Sequence, residues 1–291
     1  MIHPYAKTAY VAALAGASGT LTLPAWGVDI VRRPIDGGGF DGAGPYPMTP
    51  LTATADTFGG LEQARDAGLV SLVVLPDPLL VSAATLKAGF SVCRPFKNHY
   101  LIDRSVSAFS PNKHHGQEIR RAERRCRIEI VPLASHLADW NRIYGNLRDK
   151  HDITGTADFT DAYVAALAAE PLIQTFAAYV DDEIAAMALW FAFDGVVYQH
   201  LAASSPLGYA NSASYALVAA AVSHFGDGVI NLGGRAGFGQ EIDGLARFKM
   251  GFSNREIMSH ICGAVLDEAR YGVLSAGRES SAFFPAYRAP V

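Results

Sequence analysis

Tyr198 and His200 stand two residues apart in an apolar run, residues 196–203. If that run is a strand, both side chains face one way. A phenol and an imidazole that titrates near neutrality could each relay a proton there; a structural pair with satisfied hydrogen bonds is an equal reading. Next comes Ser205-Pro206-Leu207-Gly208-Tyr209-Ala210, an irregular loop that opens an apolar helix. Backbone N–H groups at such a helix start favour an anion. A second glycine loop, residues 233–239, also runs from a short strand to a helix. Its spacing is not G-x-G-x-x-G and no Gly-Lys-Ser/Thr follows, so a plain turn is the simpler reading, with Arg235 able to reach a donor. Residues 112–127 carry Lys113, Arg120, Arg121, Arg124, Arg125 and Arg127. Arg120, Arg124 and Arg127 fall on one helical face, which is either a solvated surface or a contact for RNA phosphates. His114 and His115 are adjacent and share no helical face, so no metal site is expected.

The elements that must position these residues follow from periodicity and punctuation. Helices are expected over 5–14, 61–67, 80–87, 134–149, 159–168, 212–225, 242–250 and 266–276, with the basic segment 112–127 helical as well. Strands are expected over 26–35, 69–75, 90–102, 127–131, 172–180, 183–193, 196–203, 229–232 and 256–265. Asp181-Asp182 and Asp194-Gly195 make the turns of an antiparallel meander. Asn211 or Ser212 is the expected N-cap of the long helix. Residues 36–47 are too rich in Gly and Pro for regular structure, and irregular loops within a compact domain are often functional. The class is α/β or α+β with a mixed sheet. A boundary near residues 97–104 divides a first domain (1–97, completed by 276–291) from a second (98–275).

A three-stranded meander followed by loop, long helix, short strand and helix resembles the core of a GNAT acyltransferase. The loop of that family reads Arg or Gln, two residues, Gly, one residue, then Gly or Ala. Gly208 and Ala210 match, and Ser205 replaces the Arg or Gln. The segment Asp243-Gly244-Leu245-Ala246-Arg247-Phe248-Lys249-Met250-Gly251-Phe252 resembles the Gly-Leu…Phe-Lys…Phe signature of Fem-type (FemABX-like) peptidyltransferases. Ile230-Asn231-Leu232-Gly233-Gly234, Asp41-Gly42-Ala43-Gly44-Pro45-Tyr46-Pro47 and Val196-Val197-Tyr198-Gln199-His200 are similar too. The resemblance implies tandem GNAT-like domains and transfer of an aminoacyl or acyl group to an amine. It implies that Lys249 stabilises the developing oxyanion and that Phe248 packs against the donor; placed beside the carbonyl, Tyr198 or His200 could relay a proton, and positioning alone is the other reading. Gly208, Tyr209, Ala210, Arg235 and Arg247 are then the donor-side candidates. Arg32, Tyr46, Arg148 and His151 are the acceptor-side ones, although Arg148 and His151 could merely complement a helix dipole. Without the resemblance, Lys249 reads as a solvated helix residue.

Composition bounds the partners. The 291 residues are half hydrophobic, with a formal charge of −4, which argues against a protein whose main task is gripping bulk nucleic acid, and no DNA partner is expected. Cys93, Cys126 and Cys262 are scattered and read as reduced thiols of a cytoplasmic protein. No signal peptide is recognisable, and the apolar runs are far shorter than the roughly 20 residues of a membrane span. No tightly bound cofactor is expected. The readings in order are aminoacyl-tRNA-dependent transfer to the amine of a small molecule or peptide, with contact mainly at the tRNA acceptor end; a CoA-dependent N-acyltransferase; and a catalytically silent GNAT-like module.

Overall fold

The computed structural model describes residues 2–152, 159–237, 242–278 and 283–289. The chain begins with α1 (Thr8–Ala15), β1 (Thr20–Leu23), β2 (Val28–Pro34) and β3 (Phe40–Ala43). Next come α2 (Thr57–Asp66), β4 (Leu69–Val74), α3 (Ala83–Gly89) and the long β5 (Val92–Asp103). Asp56 and Ser82 cap α2 and α3 by accepting the amides of Gly59 and Thr85. The chain continues with α4 (Lys113–Glu123), β6 (Arg127–Val131), α5 (Leu137–His151), α6 (Asp161–Ala168), β7 (Ile173–Val180), β8 (Glu183–Phe193) and β9 (Val196–Ser204). Then follow α7 (Pro206–Ala210), α8 (Ala213–Phe225), β10 (Val229–Asn231), α9 (Gly244–Met250), β11 (Arg255–Val265) and α10 (Glu268–Leu274).

These elements divide into two units: residues 1–97 with 258–291, and residues 98–257. β5 and β11 each contribute residues to both. The sequence reading ends the second domain at 275, whereas the structure returns to the first unit at Met258, within β11.

In the first unit β1, β2 and β3 are successively antiparallel, β3 runs parallel to β4, and β4 is antiparallel to β11. β3 and β1 are strands that sequence patterning misses. Phe-Asp-Gly-Ala has poor intrinsic strand preference, but Gly42 is packed so closely that a Cβ would lie 2.7 Å from Leu72 and 2.9 Å from Ile30. Leu23, Ile30, Leu72, Val74 and Leu86 form the core of this unit around Trp26.

The second unit has the strand order β5-β10-β9-β8-β7-β6. β7, β8 and β9 form the expected meander; Asp194 and Gly195 both take positive φ (48° and 76°), as a tight hairpin turn between right-twisted strands requires. One face carries Phe176, Ala188, Trp190 and Val197, onto which α8 packs Leu217, Val218 and Ala221. Small alanines on the strands let the helix backbone approach. Among the described residues no helix is long and apolar enough to cross a membrane.

Candidate active site

In the second unit β10 pairs parallel to β9 over only Val229–Asn231 against Val196–Tyr198. β9 then continues to Ser204, while beyond Asn231 the chain turns away: Leu232 N donates to Tyr100 O, and Tyr100 N donates to Gly233 O. Two parallel strands thus part at Tyr198 and Asn231. β9 bulges at the same level, because Leu189 pairs with Leu201 but the next residue, Trp190, pairs with Gln199. The opening between the parallel strands and the bulge beside it interrupt the regular ladder at Tyr198 and His200.

Asn231 shapes the start of the glycine loop. Its side chain is buried, its Oδ1 accepts the amide of Gly233 at 2.8 Å, and its amide nitrogen lies 3.3 Å from His99 Nδ1. Gly233 takes φ +73°, a left-handed conformation that glycine tolerates. The loop is closed by α9: Asp243 caps that helix through the Ala246 amide at 2.6 Å and accepts the Ala236 amide at 3.2 Å. The end of the loop, Phe238 and Gly239, lies outside the described residues.

Lys249 is 9% exposed, and its Nζ donates to Gly234 O at 2.6 Å. The solvated-lysine reading is therefore replaced by a buried ammonium fixed against the glycine loop. Phe248 packs edge to face on Tyr215 of α8 and on Phe252, with ring centroids 4.9 and 5.0 Å away. Arg247 is exposed on α9, and Arg235 lies near Tyr100, whose phenol is raised chiefly by burial, with Glu256 and Asp243 adding to it and Arg235 opposing.

Tyr198 is buried opposite Phe191. His200 packs edge to face against the same Phe191, and its Nε2 lies 2.7 Å from the Tyr163 hydroxyl. The expected titration of His200 near neutrality is corrected: burial pushes its pKa down to about 3. The ring stays neutral and could pass a proton only without holding a charge.

The loop after β9 also differs from expectation. Residues 206–210 form α7, with Ser205 as N-cap: its Oγ accepts the Gly208 amide at 3.3 Å and donates to Ala185 O at 3.0 Å. Tyr209 N donates to Ser205 O, so the Gly208 and Tyr209 amides are engaged within the turn that ends at Ala210. A Cβ on Gly208 would lie 2.4 Å from Ala185 O, so close approach to β8 accounts for the glycine. Ser212 precedes α8 at φ +58° without capping it; its hydroxyl instead donates to the Glu118 carboxylate of α4, which also faces Arg121 at 3.7 Å. A protein carboxylate therefore stands at the start of the long helix.

The basic segment is helical only to Glu123. Arg127 opens β6, stacked 4.4 Å over Tyr179 and paired with Glu129, so it leaves the face that Arg120 and Arg124 occupy in exposed positions. Arg148 and His151 are exposed near the end of α5, where Lys150 sits 3.7 Å over the ring of Tyr209. That contact brings an acceptor-side and a donor-side candidate region together. Arg32 and Tyr46 belong to the first unit. Arg32 lies 4.1 Å over Phe40, and the Tyr46 carbonyl accepts the Tyr10 hydroxyl while burial pushes the Tyr46 phenol up to about 12. Among the described residues no group of three or more His, Cys, Asp or Glu side chains is placed to hold a metal.

The sequence assigns no site role to His115, Glu118, Asn231 or Tyr215, although Asn231 lies within a segment of the resemblance and His115 is weighed only as a metal ligand. Only Asn231 left a signal, a polar residue inside an apolar strand run.

Residues 113–229 match the family model of the acetyltransferase (GNAT) domain. No curated protein matches the sequence. Among solved structures, one from Agrobacterium fabrum, described as the C-terminal domain of a lysylphosphatidylglycerol synthetase, superimposes with TM-score 0.61 at 16% identity over 92% of this chain and 91% of that one. FemX superimposes with TM-score 0.61 at 10% identity, over 84% and 86% of the two chains. L-PGS from Bacillus licheniformis gives 0.53 at 15% identity, over 93% and 94%. At these identities the likeness is one of fold.

Proposed function

We propose that the chain, whose residues 113–229 match the acetyltransferase (GNAT) domain and whose fold is like that of FemX, is a FemABX-like acyltransferase that moves an aminoacyl group from aminoacyl-tRNA to the amine of a small molecule or peptide. The observation that carries the choice of donor is the Glu118 carboxylate at the start of α8, bonded to Ser212. A helix start is the natural seat of a pyrophosphate; here a carboxylate holds it, and Ser205 has already taken the Gly208 amide. An ester at the end of a tRNA needs no such seat. Its phosphates find cations in the exposed Arg120, Arg124 and Arg125 around the end of α4.

In the transfer the neutral amine attacks the ester carbonyl. The C–N bond forms, the C–O bond to the ribose breaks, and the ribose oxygen leaves with the proton the nitrogen gives up. The fixed ammonium of Lys249 supplies positive charge for the oxyanion. Phe248 packs against the donor, Arg235 and Arg247 meet it, Arg148 and His151 meet the acceptor, and Tyr198 lines the strand opening. Neutral His200 supports Tyr163 rather than acting as a charged acid. The work takes place in the cytoplasm, where charged tRNA is available.

The test is a donor comparison: purified protein, a pool of amines, and either total charged tRNA or a panel of acyl-CoAs, with transfer followed by mass spectrometry. Transfer from charged tRNA that ribonuclease abolishes is the expected result. Transfer that survives complete ribonuclease digestion, or that occurs from acyl-CoA alone, would replace this reading with the CoA-dependent one.

A further inference from the structure

Phe248 O is among the carbonyls near the C-terminus of α9 that an intrahelical N–H does not satisfy. It is met from another helix: His115 of α4 lies with Nε2 2.8 Å away. A carbonyl only accepts, so Nε2 carries the proton. The other ring nitrogen lies 3.0 Å from Asn112 Oδ1, and that same oxygen caps α4 by accepting the His115 amide at 2.8 Å. Asn112 N in turn donates to Gly251 O at 2.9 Å. The start of α4 and the end of α9 therefore satisfy each other's unpaired backbone groups, with their dipoles in favourable contact.

The packing leaves the ring one place to be. A Cβ on Gly251 would stand 2.0 Å from the His115 Cε1 atom, so the imidazole lies directly on the backbone. Phe252 and Tyr215 meet it edge to face, at 4.6 and 5.0 Å between centroids. His115 is 4% exposed and its pKa is lowered, chiefly by burial. Holding Phe248 O fixes the peptide plane that joins Phe248 to Lys249, and with it the stem of the lysine that clamps Gly234.

We propose that His115 is a positioning residue of the transfer site, holding Lys249 in place through the Phe248 carbonyl. This rests on the reading that Lys249 serves the transfer; the contacts themselves are independent of it.

The test separates the two. Acylation of Lys249 by sulfo-N-hydroxysuccinimidyl acetate, read by peptide mass spectrometry, measures how firmly the lysine is held and needs no substrate. His115→Phe keeps a ring and loses the bond to Phe248 O, whereas His115→Gln offers an amide N–H where Nε2 stands. We expect His115→Phe to label Lys249 about tenfold faster than wild type and His115→Gln to return to within about twofold. Asn112→Ala, which leaves the ring but removes the oxygen that accepts the His115 amide and so loosens the start of α4, should label about threefold faster and serves should the Phe variant fail to fold. Labelling at the wild-type rate in the folded Phe or Asn112→Ala variant, or Gln as reactive as Phe, would overturn the proposal. In the transfer assay His115→Phe should lower kcat about tenfold at unchanged donor KM, with recovery in His115→Gln. If wild type transfers nothing from charged tRNA, the functional reading falls while the labelling result still decides the role of His115.

Discussion

His200 is 5% exposed, shares a 2.7 Å hydrogen bond with Tyr163, and has its pKa pushed by burial from 6.5 to about 3. Between those two values the unfolded chain binds a proton that the folded chain refuses. Stability from this group is therefore full above pH 6.5 and is lost as pH falls toward 3. His3 in the first unit acts in the same direction, with its pKa lowered to about 4. Each unit of pH in that window costs at most about 1.4 kcal/mol per histidine. In urea unfolding at pH 6.5 and pH 5, His200→Gln should lose about 2 kcal/mol less than wild type; equal losses would show that His200 is not a proton-uptake site. At this scale the sequence reveals residue types but not burial. Tyr198 and His200 stand out as polar groups in an apolar strand, yet nothing local announces that His200 is too buried to charge. His115 and Glu118 are less legible still, because the partners that give them meaning, Phe248 and Ser212, are remote in sequence.

Two glycines in helices of the second unit show how an element's surroundings decide its tolerance. Gly208 in α7 lies against the β8 backbone, with a Cβ position 2.4 Å from Ala185 O, whereas Gly145 in α5 has nothing within 4 Å. Gly208→Ala must move backbone rather than a flexible side chain and should cost about 1–3 kcal/mol. Gly145→Ala should add about 0.5–1 kcal/mol, because alanine restrains the unfolded chain and fits a helix. Chemical denaturation of both variants checks the pair. If Gly208→Ala kept its stability and lost only donor binding, the glycine would belong to a ligand seat and not to packing. The meander, the long helix and α9 were readable because hydrophobic period, Asp-Gly turns and caps all agree there. β3 and α7 were not: the first is made a strand by its neighbours, and the second is five residues in a stretch whose Pro and Gly advertise a loop. The arginine face ends early for a related reason: Arg127 continues the helical spacing in sequence but begins a strand in space.

Across the whole molecule the chain leaves its first unit at Lys97 and rejoins it at Met258, so that unit is built from two segments far apart in sequence. Two mixed halves are visible in the sequence from their alternating elements; the point of return is not, because it falls inside one continuous strand, β11. The returning segment is anchored by charge. Asp41 on β3 is fully buried and accepts from Arg33 Nε at 2.8 Å, Arg288 Nε at 2.6 Å and the Tyr287 hydroxyl at 2.9 Å. Arg288 also donates to Pro34 O at 2.7 Å, and Tyr287 also bonds Ser71 at 2.8 Å. Burial of that phenol, opposed by its bond to Ser71, leaves its pKa well above the usual range. Removing the carboxylate would leave two guanidinium groups facing each other without their shared counter-ion. Breaking a buried pair in this way costs about 3–5 kcal/mol, and the partly exposed arginines place Asp41→Ala at the lower end, about 3 kcal/mol. Trypsin should then cut at Arg278 and Arg288 well before the rest of the first unit, while the melting of residues 98–257 is unchanged. In a double-mutant cycle with Arg288→Ala the coupling should exceed about 1 kcal/mol, as expected for groups sharing one network. Additive losses would mean that the last residues are held by the packing of Phe284 and Ala286 alone, and that Asp41 serves only its neighbour on β2.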